Sequence, residues 1–311
     1  MDHSAAYWAD VFDEVSSNKD REEAGSDAAR AWWDKKAPSF AHKPVRSDYL
    51  NQLLALLDLQ PGETLFDAGC GSGVTALPLA KAGHSVCAVD FSRVMLDELA
   101  AAGKRQGVAV VDGDALLENG PLTGKNVADL AEPGTVFAFQ RSWQQRWDDL
   151  PKADVALSSR SLITNDVLDA IGKLEAHATD RVALTIGAGD LPYRDPRIFE
   201  AMGRAHDEAM QPIQLVALMN LLFTRGFFPR LEYTEMEGTW HRDTREELVE
   251  AVTKAHRPHD EAEAAALEAF LNEHLLFNEA QNRFELDYVR ADRWAYVEWT
   301  LDGFRSLKGR I

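Results

Sequence analysis

The feature that most constrains the fold is a glycine-rich turn between a short apolar run and a stretch of helix-compatible residues. Residues 64–66 favour a β-strand, residues 74–82 are compatible with a helix, and three glycines stand at alternate positions between them: Gly69, Gly71 and Gly73. Glycine is needed where a backbone approaches a ligand too closely for a Cβ atom, and where a tight turn takes torsion angles that strain other residues. Strand, glycine turn and helix in this order predict a loop that binds a nucleotide cofactor.

Two acidic residues distinguish this turn from other glycine-rich loops. The third glycine stands one place earlier than in the dinucleotide-binding pattern Gly-x-Gly-x-x-Gly. Asp67 precedes the first glycine by two places, and a second apolar run, residues 85–89, ends at Asp90. An acidic residue at the end of that second strand can accept hydrogen bonds from the hydroxyl groups of a ribose. The pattern Asp-x-Gly-x-Gly-x-Gly resembles motif I of the class I S-adenosylmethionine-dependent methyltransferases.

A third predicted strand, residues 108–111, ends in the turn Asp112-Gly-Asp-Ala115. The resemblance implies that Asp114 accepts a hydrogen bond from the adenine amino group, and that Phe91 packs on one face of the adenine. The full cofactor-binding set that it implies is Asp67, Gly69, Cys70, Gly71, Asp90, Phe91, Asp114, Ala115 and Ser159. The alternative is a Rossmann-like domain for another nucleotide, in which Asp112 and Asp114 are ordinary turn residues.

The remainder of the chain predicts a doubly wound α/β fold. A chain of 311 residues, 45% of them hydrophobic, is long enough for one α/β domain with accessory segments. Further strands are predicted at residues 135–139, 153–159, 181–186, 228–235 and 293–300, the first of these as an addition to the usual pattern. The resemblance implies a seven-stranded, mostly parallel sheet whose last strand is antiparallel.

Two accessory segments flank or interrupt this predicted domain, which spans residues 47–311. Residues 1–46 are predicted to form helices, and Trp32-Trp33-Asp34 within them resembles the segment that many small-molecule methyltransferases fold over the cofactor. The alternative is that these tryptophans anchor a helix on the outside of the sheet. Residues 238–292 contain two predicted helices inserted before the last strand, and they either roof the substrate pocket or form a homodimer surface.

Charge and cysteine content exclude several classes of partner. The chain has 33 Lys and Arg against 51 Asp and Glu, a net charge of -18, which repels nucleic acid and anionic membranes. Two cysteines, Cys70 and Cys87, are expected to be free thiols in a reducing compartment. Neither a secretory leader nor a membrane-spanning run is evident, so a cytoplasmic location is expected. His256 and His259 lack a third ligand, and no metal is predicted.

The methyl acceptor is expected at the exit of the predicted strand 153–159, because ligands of doubly wound sheets lie beyond the carboxyl ends of the strands. Arg160 is the candidate for an anionic group of the substrate, since a guanidinium offers a fork of donors, with a salt bridge to an acidic neighbour as the alternative. Tyr193 is a second substrate candidate.

The predicted reaction transfers a methyl group from S-adenosylmethionine to a small molecule and releases S-adenosylhomocysteine. Such a transfer needs alignment and exclusion of water more than a strong acid or base, so no catalytic base is named. Two alternatives stay open. The chain transfers a different alkyl group from a related donor, or it binds the cofactor without chemistry and acts as an interaction or regulatory protein.

Overall fold

A computed structural model describes residues 4–16, 25–42, 47–188, 195–204 and 212–302. The chain divides into two compact units. The first comprises residues 1–186, 216–232 and 295–311, and the second comprises residues 187–215 and 233–294.

The elements up to residue 187 alternate between helix and strand after three N-terminal helices. They are α1 (Ala5–Ser16), α2 (Asp27–His42), α3 (Ser47–Leu57), β1 (Leu65–Ala68), α4 (Ala76–Lys81), β2 (Val86–Asp90), α5 (Arg93–Gln106), β3 (Val110–Asp112), α6 (Gly113–Leu117), β4 (Val136–Gln140), β5 (Ala153–Ser159), α7 (Val167–His177) and β6 (Ala178–Gly187). The two strands at the glycine turn, β1 and β2, are buried along their whole length. Continuous burial of this kind is typical of parallel strands that are covered on both faces.

The elements after residue 195 are α8 (Pro196–Ala201), α9 (Ile213–Thr224), β7 (Arg230–Gly238), β8 (His241–Arg242), α10 (Arg245–His256), α11 (Glu261–His274), β9 (Leu275–Asn278), β10 (Arg283–Leu286) and β11 (Arg290–Thr300). The two helices predicted for the late insertion are present as α10 and α11. Thr244 and Asp260 cap them by accepting hydrogen bonds from the backbone amides of Glu247 and Glu263.

The main sheet has eight strands in the order β3-β4-β2-β1-β5-β6-β11-β7. The pairs from β3 to β6 are parallel. The strand β11 runs antiparallel to β6, because Ala188 donates a backbone hydrogen bond to Arg293 while Leu301 donates to Asp180. The mostly parallel α/β sheet with an antiparallel late strand is confirmed. The predicted count of seven was one too low, because β4 pairs fully within the sheet, between β3 and β2.

The second unit has its own small sheet and its own hydrophobic core. Three antiparallel strands in the order β8-β10-β9 pack with α8, α10 and α11. Its buried apolar residues are Ile198, Phe199, Met202, Leu248, Val252, Leu267, Leu271 and Leu286. The sequence analysis predicted only the helices here, since strands of two to four residues are too short to give a period-two pattern.

Neither a membrane-spanning helix nor a metal-binding cluster is present among the described residues. Among the described residues, no helix has both the length and the apolar character needed to cross a bilayer. The same residues hold no group of three or more His, Cys, Asp or Glu side chains placed to bind a metal ion.

Candidate cofactor site

The glycine turn leaves β1 in a conformation that side chains would obstruct. Gly69, Gly71 and Gly73 have φ angles of 76°, 53° and 84°. A Cβ on Gly69 would lie 2.3 Å from Cβ of Ser161, and one on Gly73 would lie 2.2 Å from Cδ1 of Leu99. The Ser161 hydroxyl donates a 2.6 Å hydrogen bond to the carbonyl of Ala68, which joins the exits of β1 and β5. Glycine is therefore required at positions 69 and 73 by both backbone conformation and space.

Asp67 is a buried carboxylate with an unsatisfied oxygen. Its side chain is 2% exposed, and its Oδ2 atom has no hydrogen-bond partner among the described residues. Burial, and after it the negative charge of Asp90, raises the pKa of Asp67 to about 7. Because an unpaired buried charge is costly, a carboxylate in this position matches a ligand that brings a cation with hydrogen-bond donors.

Asp90, at the end of β2, is fixed by two backbone amides. Its Oδ2 atom accepts a 2.9 Å hydrogen bond from Gly71, and its Oδ1 atom accepts one of 2.9 Å from Ser92. Burial raises the pKa of Asp90 to about 6, although the amides of Ser92, Gly71 and Phe91 act to lower it. The carboxylate is thus held in one orientation beside the glycine turn, and each of its oxygens retains a lone pair for a ligand.

The N-terminal helix α2 reaches this site through Asp34. The hydroxyl of Ser92 donates a 2.5 Å hydrogen bond to Oδ1 of Asp34, and the same hydroxyl accepts from the amide of Met95 at the start of α5. The negative charge of Asp34 also acts to raise the pKa of Asp90. Asp34 was predicted only as part of the segment that resembles a cofactor cover. Its contact with Ser92 was not predicted, because fifty-eight positions separate the two residues.

The turn predicted to meet adenine, which contains Asp114 and Ala115, follows a strand that is not adjacent to β2. Asp114 accepts hydrogen bonds from the backbone amide of Gln140 (2.9 Å) and from Nη1 of Arg141 (2.8 Å). Ala115 is exposed. Because β4 lies between β3 and β2, Asp114 and Ala115 follow a strand two spacings, or roughly 10 Å, from β2. Phe91 stays next to Asp90, and its carbonyl accepts from Nε2 of Gln140 (3.2 Å).

The exit of β5 is tied to α3 by a buried tyrosine. The hydroxyl of Tyr49 lies 2.8 Å from Oγ of Ser159 and 2.8 Å from Oγ1 of Thr185. Arg160 has a left-handed backbone with a φ of 56°, and its guanidinium carbon lies 4.2 Å from the centre of the Tyr49 ring. A positive φ is uncommon for arginine, and such conformations are concentrated at functional sites.

The remaining predicted site residues differ in what the structure says of them. The Cys70 thiol is buried, and burial followed by the charges of Asp90 and Asp67 raises its pKa well above the ordinary value, so it stays protonated. This protonated thiol is consistent with a backbone role for Cys70. Tyr193 lies outside the described residues. The structure therefore brings together Asp67, Gly69, Cys70, Gly71, Asp90 and Phe91, with Ser159 and Arg160 at the neighbouring strand exit.

A separate cavity of about 700 Å³ lies along α7. Trp143 and Trp147 line it with their ring centres 4.9 Å apart. Trp147 is almost fully buried against Phe66, whereas the indole of Trp143 donates to the carbonyl of Ser161. Trp147 is therefore part of the core, and Trp143 supports the loop after β5.

Comparisons with known proteins agree with this geometry. A family profile described as "Methyltransferase domain" matches residues 65–134, the segment that contains the glycine turn and Asp90. A ubiquinone biosynthesis O-methyltransferase of Hahella chejuensis is 31% identical over 87 residues, which cover 27% of this chain and 35% of that enzyme. The match thus spans about a third of that enzyme's length. A solved structure from Bacillus halodurans C-125, titled as a candidate methyltransferase, has a TM-score of 0.50 at 10% identity, covering 81% of this chain and 97% of that one.

The glycine turn, the two buried carboxylates and the match over residues 65–134 identify a methyltransferase domain of the class I S-adenosylmethionine-dependent type in this chain. S-adenosylmethionine is the cofactor of such domains, and the residues present fit it. Asp67 offers an oxygen that no described residue bonds, and the space beside Gly71 is open, with Sδ of Met95 at 4.0 Å as the nearest atom to a Cβ placed there. Over most of its length the chain is also similar to an uncharacterised protein of Haemophilus influenzae. The two are 32% identical over 273 residues, which cover 87% of this chain and 89% of the relative.

Proposed function

We propose that this chain methylates a small-molecule acceptor and that the cofactor lies across the exits of β1 and β2. The observation that carries the proposal is the pair of buried carboxylates at these exits. One has an oxygen that no described residue bonds, and the other is held by the glycine turn. A cationic amino acid group and a ribose are the two parts of S-adenosylmethionine that such a pair recognises. When bound, the cofactor would supply a methyl group on a sulfonium sulfur. The thioether that remains, S-adenosylhomocysteine, would leave without acid or base assistance.

Each predicted cofactor residue has a role in this proposal. Asp67 accepts hydrogen bonds from the ammonium group of the methionine part, and the backbone of Gly69, Cys70 and Gly71 surrounds that part. Asp90 accepts from the ribose hydroxyls, and Phe91 packs on the adenine. The residues at the two outer ends of the site are Asp114 and Ala115 near adenine and Ser159 near the reacting methyl group.

The acceptor is proposed to lie at the exit of β5, with Arg160 holding an anionic group of the substrate. The support is the position of its guanidinium over the Tyr49 ring, which is itself anchored to Ser159 and Thr185. A planar cation fixed on an aromatic ring presents its donors in a defined direction. Tyr193 is proposed as a second substrate contact on the sequence argument alone.

The N-terminal segment, residues 1–46, is proposed to cover the cofactor. Two contacts of the first unit support this: Asp34 of α2 reaches Ser92 beside Asp90, and Asp13 of α1 accepts from the amide of Val167 at the start of α7. The methyltransferase domain then spans residues 47–311, with residues 238–292 as its insertion. A cytoplasmic location, an absence of nucleic-acid and membrane partners, and a homodimer surface on the insertion remain proposals that rest on composition and pattern.

The first test is calorimetric titration with S-adenosylmethionine and S-adenosylhomocysteine. We expect the native chain to bind both, and Asp90→Ala to lose about 1.5–3 kcal/mol of binding free energy because a charged acceptor is removed. Asp97→Ala is the matched control, since Asp97 is an exposed carboxylate on the neighbouring helix α5. Equal binding by native chain and Asp90→Ala would contradict the assigned site, and no binding by the native chain would remove the proposed function.

A screen of small-molecule acceptors then separates transfer from binding alone. Release of S-adenosylhomocysteine is measured with candidate acceptors that carry a carboxylate or phosphate and with their neutral esters. We expect turnover with an anionic acceptor and its loss in Arg160→Ala, with cofactor affinity unchanged. Binding without turnover by any acceptor would favour the interaction or regulatory protein instead.

A further inference from the structure

The strand β4 changes which residues stand beside the ribose carboxylate. Its last residue, Gln140, pairs directly with Asp90, and the next residue, Arg141, donates its backbone amide to the carbonyl of Asp90 at 3.1 Å. The turn that contains Asp114 follows β3, on the far side of β4. The end of β4, rather than the end of β3, is therefore the immediate neighbour of the end of β2.

Asp114 is engaged in holding this strand end. Its Oδ2 atom accepts from the amide of Gln140 and its Oδ1 atom from Arg141. The same guanidinium donates to Asp149 at 2.8 Å, and the Arg141 side chain is only 18% exposed. A carboxylate that is paired twice in this way fixes the backbone of its partner strand. Asp114 thus acts on the polypeptide next to the site.

The Gln140 side chain extends over the end of β2 and keeps an acceptor available. Its Nε2 atom donates to the carbonyl of Phe91, the residue proposed to pack on adenine. No residue in the described part of the chain donates a hydrogen bond to its Oε1 atom. An amide oxygen beside the backbone of Phe91 is suited to accept from the exocyclic amino group of an adenine that packs on this residue. The residue following Arg141, Ser142, is also buried here.

We propose that Gln140, at the end of β4, accepts the hydrogen bond of the adenine amino group, and that Asp114 is a positioning residue that holds β4 in place. This inference rests on the proposed function, and it replaces the direct contact between adenine and Asp114 that the family resemblance implies. The inserted strand has moved adenine recognition from the turn after β3 to the strand next to Asp90.

The test compares two ligands on three variants by calorimetry. The ligands are S-adenosylhomocysteine and its analogue in which hydrogen replaces the adenine amino group. We expect the native chain to prefer S-adenosylhomocysteine about tenfold, as one hydrogen bond in a partly buried site gives. Gln140→Met should bind both ligands equally, whereas Gln140→Glu, which keeps an acceptor oxygen, should retain the preference. Asp114→Asn should weaken the binding of both ligands by the same factor, so the preference for S-adenosylhomocysteine stays near tenfold.

Two controls keep the outcomes distinct. Gln106→Met makes the same chemical change at an exposed position on α5 and should behave as the native chain. Thermal unfolding of each variant shows whether it is folded at the temperature of the titration, so that weaker binding is not mistaken for unfolding. A preference that survives in Gln140→Met but disappears in Asp114→Asn would overturn the inference and restore the direct contact. Failure of the native chain to bind S-adenosylhomocysteine would instead contradict the proposed function.

Discussion

At the scale of single residues, the candidate site places two carboxylates in the buried interior, where a negative charge is energetically costly. Asp67 and Asp90 are both at least nine-tenths buried, and the negative charge of Asp90 raises the pKa of Asp67. Hydrogen bonds from Gly71 and Ser92 compensate Asp90, but the Oδ2 atom of Asp67 has no such compensation within the described residues. A buried acid that is paired only when a ligand binds exchanges stability of the free protein for affinity.

Replacing Asp67 by asparagine tests this exchange. At pH 8 Asp67 is ionised, because its pKa is about 7, and each unit by which burial raises a carboxyl pKa costs about 1.4 kcal/mol of native stability above that pKa. We expect Asp67→Asn to raise the melting temperature at pH 8 by several degrees and to weaken S-adenosylmethionine at least tenfold. Asp97→Asn, at an exposed position, should change neither quantity. A lower melting temperature for Asp67→Asn would show that the carboxylate stabilises the free protein.

At the scale of elements, the first helix contacts the start of α7 through Asp13. Both oxygens of Asp13 accept from the amide of Val167, at 3.1 and 3.3 Å, and this amide is one of those left unpaired at the start of α7. Phe12, next to Asp13, is fully buried. A side chain of α1 thus caps the start of α7, and the position of α1 depends on this hydrogen bond.

Removing this cap should loosen α1. At pH 5, below the pKa of about 6 to which burial raises Asp13, Asp13→Ala is expected to lose about 1 kcal/mol, the usual contribution of a cap, and to speed amide hydrogen exchange in residues 5–16. Asp10→Ala removes an exposed carboxylate from the same helix and should leave the exchange unchanged. Equal protection of α1 in both variants would mean that buried apolar contacts alone hold the helix.

At the scale of the whole molecule, raised carboxyl pKa values predict how stability varies with pH. The pKa of Asp67 is raised to about 7, and those of Asp13 and Asp90 to about 6. Below these values the native chain holds protons that the unfolded chain has released, so stability falls as pH rises through this range. His177, whose pKa burial lowers, has the opposite effect, but only below its ordinary pKa of about 6.5.

The free protein should therefore unfold at a lower temperature at pH 8 than at pH 6.5, and the cofactor should reduce the difference. S-adenosylmethionine brings a cation to Asp67, so its binding releases a proton and strengthens as pH rises. Thermal unfolding at both pH values, with and without cofactor, measures both effects. In Asp67→Asn the dependence on pH over this interval should largely disappear, and an unchanged slope would assign it to other groups.

The sequence by itself determined the class of fold, and it predicted the part of the candidate site that Asp67, the glycine turn and Asp90 form. Asp67, the glycines and Asp90 belong to consecutive strand and turn segments, so their relative positions follow from local pattern and from the rule that parallel strands end at one edge. Most strands were also predicted within a few residues, because buried parallel strands are short apolar runs between polar turns.

Only the tertiary structure decided the neighbours of each strand and the long-range contacts around the candidate site. Residues 135–139 were predicted to form an extra strand, but nothing in that run indicates that it pairs with β2 and moves β3 outward. The contacts of Asp34 with Ser92 and of Tyr49 with Ser159 join segments far apart in the chain. Strand order and such contacts depend on which surfaces pack together when the chain folds. Local periodicity predicts the strands but not their neighbours.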